Sequence, residues 1–270
     1  MKTSHLGIGI AACLAFAGCS GHGVKTATPR PAPPAQTTAI VSEPASVTNK
    51  VTGSNSPAYV PSIRTTSTNW MARHEKFVEQ AKAGNIDLLF QGDSITDFWR
   101  TRGSNVWNEY YAPKHAADFG IGGDRTQHVL WRMENGELDG IHPKVIVLMI
   151  GTNNSGTDPA DDIARAIRRM VEDIRSKLPE TKVLLLGVFP RGPHRGDDGV
   201  ERMKVIHAVN EQIATLDDGK MVKYLDIGDK FLGPDGKIPD DVMPDQLHPS
   251  EKGYRIWADA MNPTLDAMMQ

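Results

Sequence analysis

Five short runs of apolar residues, at 86–90, 117–121, 145–150, 183–188 and 222–227, alternate with stretches of helical period. A strand that is apolar at nearly every position has no solvent face, so it must be covered on both sides. Helices between successive runs supply both the covers and the crossover connections that parallel strands require. The pattern therefore predicts an α/β protein: a three-layer α/β/α sandwich with a five-stranded parallel sheet. The first helix should place Trp70, Met71, His74, Phe77, Val78 and Ala81 on one face and stop at Gly84. The clearest helix spans 159–178, where Ile163, Ile167, Met170, Val171 and Ile174 repeat at three and four and Asp158 stands in a capping position. Further helices are expected over 126–135, 200–216 and 251–270, the last capped by Ser250 and broken at Pro263. On the helix at 126–135, Val129, Leu130 and Met133 read as core.

The chain before this pattern has a different character. Lys2 followed by the apolar stretch 6–17 reads as an export signal, too short to span a bilayer. Cleavage can follow Ala17 by the small-x-small rule, or Gly18, since Phe16-Ala17-Gly18-Cys19 resembles a bacterial lipoprotein box. The second alternative is preferred because Cys13 lies inside the signal. The mature chain would then keep Cys19 alone, with no partner for a disulfide. Phe16 departs from the leucine usual in that box, and Ser20 after the cysteine resembles the outer-membrane sorting pattern. Residues 19–65 are rich in Pro, Ala, Thr and Ser with almost no apolar period, which suits a flexible tether spanning on the order of 40 Å. The expected organisation is a signal at 1–18, a tether at 19–65 and one domain at 66–270, exported to the periplasm or held at the outer membrane of a bacterium through lipid on Cys19. With 30 basic against 33 acidic residues the net charge is −3, which excludes the basic footprint of a nucleic-acid binder.

In a sheet of this kind ligands sit beyond the carboxyl ends of the strands. Three of the runs end there in small or polar clusters: Gly92-Asp93-Ser94, Gly120-Ile121-Gly122-Gly123-Asp124 and Gly151-Thr152-Asn153-Asn154. A fourth, Asp245-Gln246-Leu247-His248, precedes the last helix. A serine hydroxyl becomes an effective nucleophile when an imidazole takes its proton, and a carboxylate on the other ring nitrogen fixes the tautomer. Ser94, His248 and Asp245 supply those parts, and Asp245 is near enough in sequence to turn back onto the ring within one loop. Each residue alone has a plainer role: Ser94 as a helix cap, the glycines in a tight turn, Asn153 in an Asx turn, His248 on a surface loop.

The four clusters, in this order, resemble the signature blocks of GDSL (SGNH) hydrolases, whose sandwich is flavodoxin-like. The strings FGIGGDRTQHVLWRMENGEL and GTNN, with PRG at 190–192, are similar to the catalytic subunits of intracellular platelet-activating-factor acetylhydrolase and their bacterial relatives. The resemblance covers about 86–254. It implies an oxyanion hole made by the backbone N–H of Ser94, the backbone N–H of Gly123 and the side-chain amide of Asn153. It also implies hydrolysis of acyl esters with no cofactor, and its relatives include dimers, so a homodimer is a candidate assembly.

Ile95 and Leu247 flank nucleophile and base and would narrow the acyl pocket if they face it, which favours short acyl groups, acetyl above all, over long chains. The expected substrate is a small-molecule or glycan ester, an O-acetylated carbohydrate first, with a phospholipid-like ester behind it by the family resemblance. A non-catalytic glycan-binding lipoprotein and an O-acyltransferase using the same residues are the competing readings. A metal-dependent phosphoesterase is disfavoured, because His115, His128, His142, His194 and His207 show no ligand spacing. Asp93 is then expected to fix the nucleophile turn and Asp124 to cap the helix that follows it. The G-x-S-x-G elbow of α/β-hydrolases is absent, since Thr96 holds its last position.

Overall fold

The computed structural model describes residues 57–270. Five strands, β1 (Leu88–Gly92), β2 (Ala116–Gly120), β3 (Val145–Met149), β4 (Lys182–Leu186) and β5 (Val222–Leu225), form one parallel sheet in the order β2-β1-β3-β4-β5. The helices are α1 (Trp70–Ala83), the one-turn α2 (Ser94–Asp97), α3 (Ser104–Tyr110), α4 (Thr126–Arg132), α5 (Ala160–Lys177), α6 (Val200–Ala214) and α7 (Glu251–Met269).

Side-chain alternation along the strands divides the interior in two. Leu89, Ile146, Leu148, Val183 and Leu185 join one core with Phe77 of α1, Val129 and Leu130 of α4, Ile167 and Met170 of α5, and Ile206 and Val209 of α6. Leu88, Phe90, Val145, Val147, Leu184 and Leu186 join the other with Val106 of α3, Tyr111, and Tyr254 and Trp257 of α7. These are the two covered faces that continuous apolar strands demand. At about 25 cal/mol per Å² of apolar surface, such burial is the main term holding the layers together.

Several local expectations change. Strand β1 runs on to Gln91 and Gly92, in register with Gly120 of β2 and Met149 of β3. The polar Gln91 is tolerated inside because its amide donates to buried Glu137 at 2.9 Å. Helix α5 starts after Pro159 without a side-chain cap, and the Asp158 carboxylate instead accepts from Asn154 Nδ2 and Thr157 Oγ1. Helix α4 ends at Arg132 and gives way to a wider turn over Met133–Glu137, where Gly136 has φ 113°. Helix α7 does not break at Pro263 but continues to Met269. The lost hydrogen bond is outweighed by a buried stripe on both sides of the proline, Trp257, Ala258 and Met261 before it and Leu265 after it. Gly84 and Ser250 act as expected, the first closing α1 at φ 70° and the second accepting from Gly253 N.

The tether boundary at 65 also shifts. Residues 57–65 lie against the domain: Ala58 is fully buried and its carbonyl accepts from Thr126 Oγ1, while Ser62 N donates to Gln127 O. Tyr59 adds a cation–π contact with Arg165 at 4.1 Å. Low apolar content hid this segment, because it docks through backbone and single side chains rather than through a periodic face. The expected export signal, the expected lipid site at Cys19 and the rest of the expected tether fall outside the described residues. Among the described residues no helix is long and apolar enough to cross a membrane.

Candidate active site

Strand β1 is flanked by β2 on one side and β3 on the other, so the chain leaves β1 in one direction and later returns past it to form β3. A crevice opens above the strand ends at such a reversal. The loops after β1, β2 and β3 deliver Ser94, Gly122-Gly123 and Asn153 to it, and all four line a cavity of about 480 Å³ together with His248 and Leu247.

Asp93 caps the turn that carries the nucleophile. Its Oδ1 accepts from Ile95 N at 2.9 Å, which leaves Ser94 as the first residue of α2 rather than as the cap. The Ser94 hydroxyl is thus free for another partner, and it lies 2.9 Å from His248 Nε2. On the far side of the ring, His248 Nδ1 lies 2.7 Å from Asp245 Oδ2. The other carboxylate oxygen, Oδ1, accepts from the backbone N–H of His248 at 2.7 Å and of Leu247 at 3.3 Å, so one local loop holds acid and imidazole together. His248 is not a surface histidine, being 9 % exposed, and Phe98 covers it at a ring distance of 5.0 Å.

Burial lowers the His248 pKa below its ordinary 6.5, and the hydrogen bond and charge of Asp245 only partly oppose this. Burial pushes the Asp245 carboxyl up, but its bonds from His248 outweigh that and hold it low. The imidazole must be neutral to accept a proton, so kcat/KM should fall with acid only below the ordinary histidine range. The acid limb of the pH profile is expected to centre below pH 6.5; a limb centred above 7 would contradict this environment.

The oxyanion-hole residues sit as follows. Gly123 has φ 81°, a conformation that suits glycine, and an added Cβ would lie 2.6 Å from Arg64 Nη2. Among the hydrogen bonds of the described residues, the N–H groups of Ser94 and Gly123 take no protein acceptor. Asn153 Nδ2 donates to Asp124 O at 2.8 Å and, less closely, to Asp93 Oδ2 at 3.3 Å. Asp93 is fully buried, and burial raises its pKa to about 7, which limits negative charge next to that amide.

Two expectations fail here. Ile95 is 1 % exposed and packs into the core under α3 and α7, so it does not line the cavity; Phe98, one helical turn later, does. Period explains the change: a residue adjacent to the nucleophile points roughly a quarter-turn away from it, whereas one four residues on shares its face. Asp124 does not cap α4. Its carboxylate turns inward to accept from Trp70 Nε1 at 2.7 Å and Arg132 Nε at 2.9 Å. Arg132 also pairs with Glu137, which His74 Nδ1 contacts at 3.0 Å, giving a fully buried ionic network beneath the site. Arg132 Nη2 reaches Gly92 O at 3.3 Å, so the network touches the nucleophile strand as well.

Other residues that shape the site carry no sequence motif. Asp97 takes two hydrogen bonds from Arg73 at 2.7 and 2.8 Å and one from Gly122 N at 2.9 Å, tying the glycine loop to the nucleophile turn. His194 Nδ1 contacts Asp245 O at 2.7 Å, and Gly192 N donates to Gln246 O at 2.8 Å, so the loop after β4 braces the acid–base loop. Gln246, between them, has φ 58°. Among the described residues no group of three or more His, Cys, Asp or Glu side chains is gathered as a metal ion would require.

Comparison with known proteins identifies relatives of the chain in sequence and in fold. The model of the GDSL-like lipase/acylhydrolase family matches residues 90–256. The human platelet-activating factor acetylhydrolase IB subunit alpha1 is 38 % identical over 185 residues, covering 68 % of this chain and 78 % of that protein. The rat alpha2 subunit is 37 % identical over 205 residues, covering 75 % and 87 %. In fold the chain is similar to a GDSL-like lipase from Bacteroides thetaiotaomicron, with a TM-score of 0.60 at 18 % identity over 73 % of this chain and 98 % of that one. It is also similar in fold to a Geobacillus acetyl-xylooligosaccharide esterase, with a TM-score of 0.50 at 20 % identity over 65 % and 92 %. The chain belongs to the GDSL-like lipase/acylhydrolase family and is a carboxylic ester hydrolase.

Proposed function

We propose that Ser94, His248 and Asp245 form a catalytic triad that removes short acyl groups, acetyl above all, from an O-acylated carbohydrate. The observation that carries this reading is the unbroken relay from Ser94 Oγ to His248 Nε2 at 2.9 Å and from His248 Nδ1 to Asp245 Oδ2 at 2.7 Å. With Nδ1–H donating to Asp245, Nε2 is left as the acceptor for the serine proton. Ser94 Oγ bonds to the ester carbonyl carbon as its proton passes to Nε2. The carbonyl oxygen takes negative charge and receives the N–H groups of Ser94 and Gly123. Asn153 joins them by exchanging its longer bond to Asp93 for one to the oxyanion. Collapse breaks the bond to the alcohol, which leaves with the proton from Nε2. Water then attacks the acyl-enzyme, giving a proton to the same nitrogen, and the acid departs as Ser94 is restored.

The short-chain preference is supported by Phe98 and Leu247 on the cavity wall and by the acetylhydrolase relatives. Carbohydrate as the alcohol is supported by the export signal and Cys19 box, which would put the enzyme among envelope and environmental glycans, tethered through lipid. The test is hydrolysis of 4-nitrophenyl acetate and octanoate by the full chain with chelator present. Acetate should be cleaved with the larger kcat/KM and chelator should change nothing. Faster octanoate cleavage would overturn the acyl preference, and chelator-sensitive hydrolysis would overturn the serine mechanism.

A further inference from the structure

Four arginines, Arg64, Arg191, Arg195 and Arg202, line the cavity that holds Ser94 and His248. Their partners differ. Arg202 is paired with the Asp197 carboxylate, which also accepts from Gly199 N. Arg64 donates to Gly122 O, and its nearest carboxylate, Asp124 at 3.7 Å, already serves Trp70 and Arg132. Arg195 is exposed. Arg191 is the exception: it is only 7 % exposed, its Nε has no hydrogen-bond partner in the protein, and among the described residues no carboxylate forms an ion pair with it.

A guanidinium cannot shed its proton at any working pH, so burial without a counter-ion is costly unless something else supplies the negative charge. Here burial and the neighbouring Arg202 both act against the Arg191 charge, and Asp197, the acid that partly offsets them, is already committed to Arg202 and Gly199 N. Arg191 belongs to the PRG string at 190–192, and its backbone is fixed by a bond from its N–H to Met203 Sδ, so it is a built element of the wall rather than a stray surface charge. Arg64 enters from the opposite side of the chain, on the docked segment before α1, and stands against Gly123.

We propose that this cavity takes esters bearing an anionic group, a carboxylate or a phosphate near the scissile bond, with Arg191 as its buried counter-ion and Arg64 and Arg195 at its margin. Planar guanidinium groups pair with both kinds of oxyanion in the same forked geometry. The substrate is then an acidic acyl ester rather than a neutral one. The inference rests on the esterase reading above for its chemistry, but not for the anion site itself.

The test uses the full chain and three acetyl esters of matched shape: 4-acetoxybenzoate, 4-acetoxyphenyl phosphate and the neutral 4-acetoxybenzamide. Each kcat/KM is divided by that ester's own alkaline hydrolysis rate, which removes leaving-group differences. In parallel, calorimetry measures binding of the same esters to Ser94→Ala, where turnover is blocked. One or both anionic esters should exceed the amide by about tenfold or more in both readouts, as a charge-assisted hydrogen bond gives, and the advantage should shrink with added salt. The ester that leads identifies carboxylate or phosphate. In Arg191→Met, with folding checked by its melting curve, the ratio should fall toward one, and Arg191→Lys should keep part of it. Equal ratios in wild type, with 4-nitrophenyl acetate still cleaved, would overturn the anion site and leave the esterase. A ratio that survives in Arg191→Met would overturn the assignment to Arg191. Absence of any ester turnover would overturn the esterase reading, and the calorimetric ratio would then judge the anion site by itself.

Discussion

Ser94→Ala is expected to lower kcat for 4-nitrophenyl acetate by on the order of a millionfold, the loss typical when a triad nucleophile is removed. The residual rate should be what oriented binding and two or three oxyanion donors provide, roughly a thousandfold over water. His248→Ala should cost about as much. The double variant should cost no more than either alone, because nucleophile and base act as one unit across the 2.9 Å contact. Folding should be little affected, since the Ser94 side chain makes no bond except that to His248 and the turn is held by Asp93. Stopped assays on matched amounts of folded protein check this. A Ser94→Ala rate within about a hundredfold of wild type would mean another group carries the attack.

The second large effect concerns stability. Arg132→Met should lower the stability of the full chain by about 3–5 kcal/mol, because it strands two buried carboxylates, Asp124 and Glu137, in an apolar interior. For a domain of this size that is a fall of roughly 6–20 °C in Tm. The sign with pH follows from Glu137. In the native protein burial pushes its carboxyl up, but Arg132, His74 and Gln91 more than offset this and hold its pKa below the ordinary 4.5. Its contribution is therefore present above that ordinary value and lost only as pH falls through the lowered one. In Arg132→Met the same carboxyl is buried without its cation, so its pKa rises and protonation relieves the strain. The gap in Tm between wild type and variant should thus be wider at pH 8 than at pH 5. A gap below about 2 °C at pH 8 would show that the network is not needed for folding.

Much of the fold is readable in the chain because parallel strands buried on both faces leave an unmistakable apolar run, and 145–150 and 183–188 fall on β3 and β4 within two residues. The proposed triad is readable for another reason: Asp245 and His248 are close in sequence, and the serine follows a strand directly. What could not be read depends on tertiary company. Gln91 passes for the end of a strand unless Glu137 is known to lie beneath it. Pro263 passes for a helix break unless the buried stripe on both sides is weighed. Asp124 follows a glycine turn and precedes a helix, so local rules make it a cap, whereas the buried guanidinium of Arg132 draws it inward. Arg64 has no period and no motif spacing that connects it to Ser94, and Arg191, although it lies in the PRG string, carries no local sign that it faces the nucleophile. Loops from two ends of the domain bring them there.

The single loop shared by Asp245 and His248 reduces the number of independent motions that matter to the proposed reaction. Carboxylate and imidazole are joined by backbone as well as side-chain bonds, and Gly192 and His194 grip the same loop from outside. Displacement of this loop would carry both groups together and leave their mutual alignment intact. The one variable left is the gap between the imidazole and the hydroxyl of Ser94, which belongs to the separate turn after β1. Thermal loosening would then act on this reaction as a latch does, through one distance that is either closed or open, rather than as a gradual decay of three-body alignment.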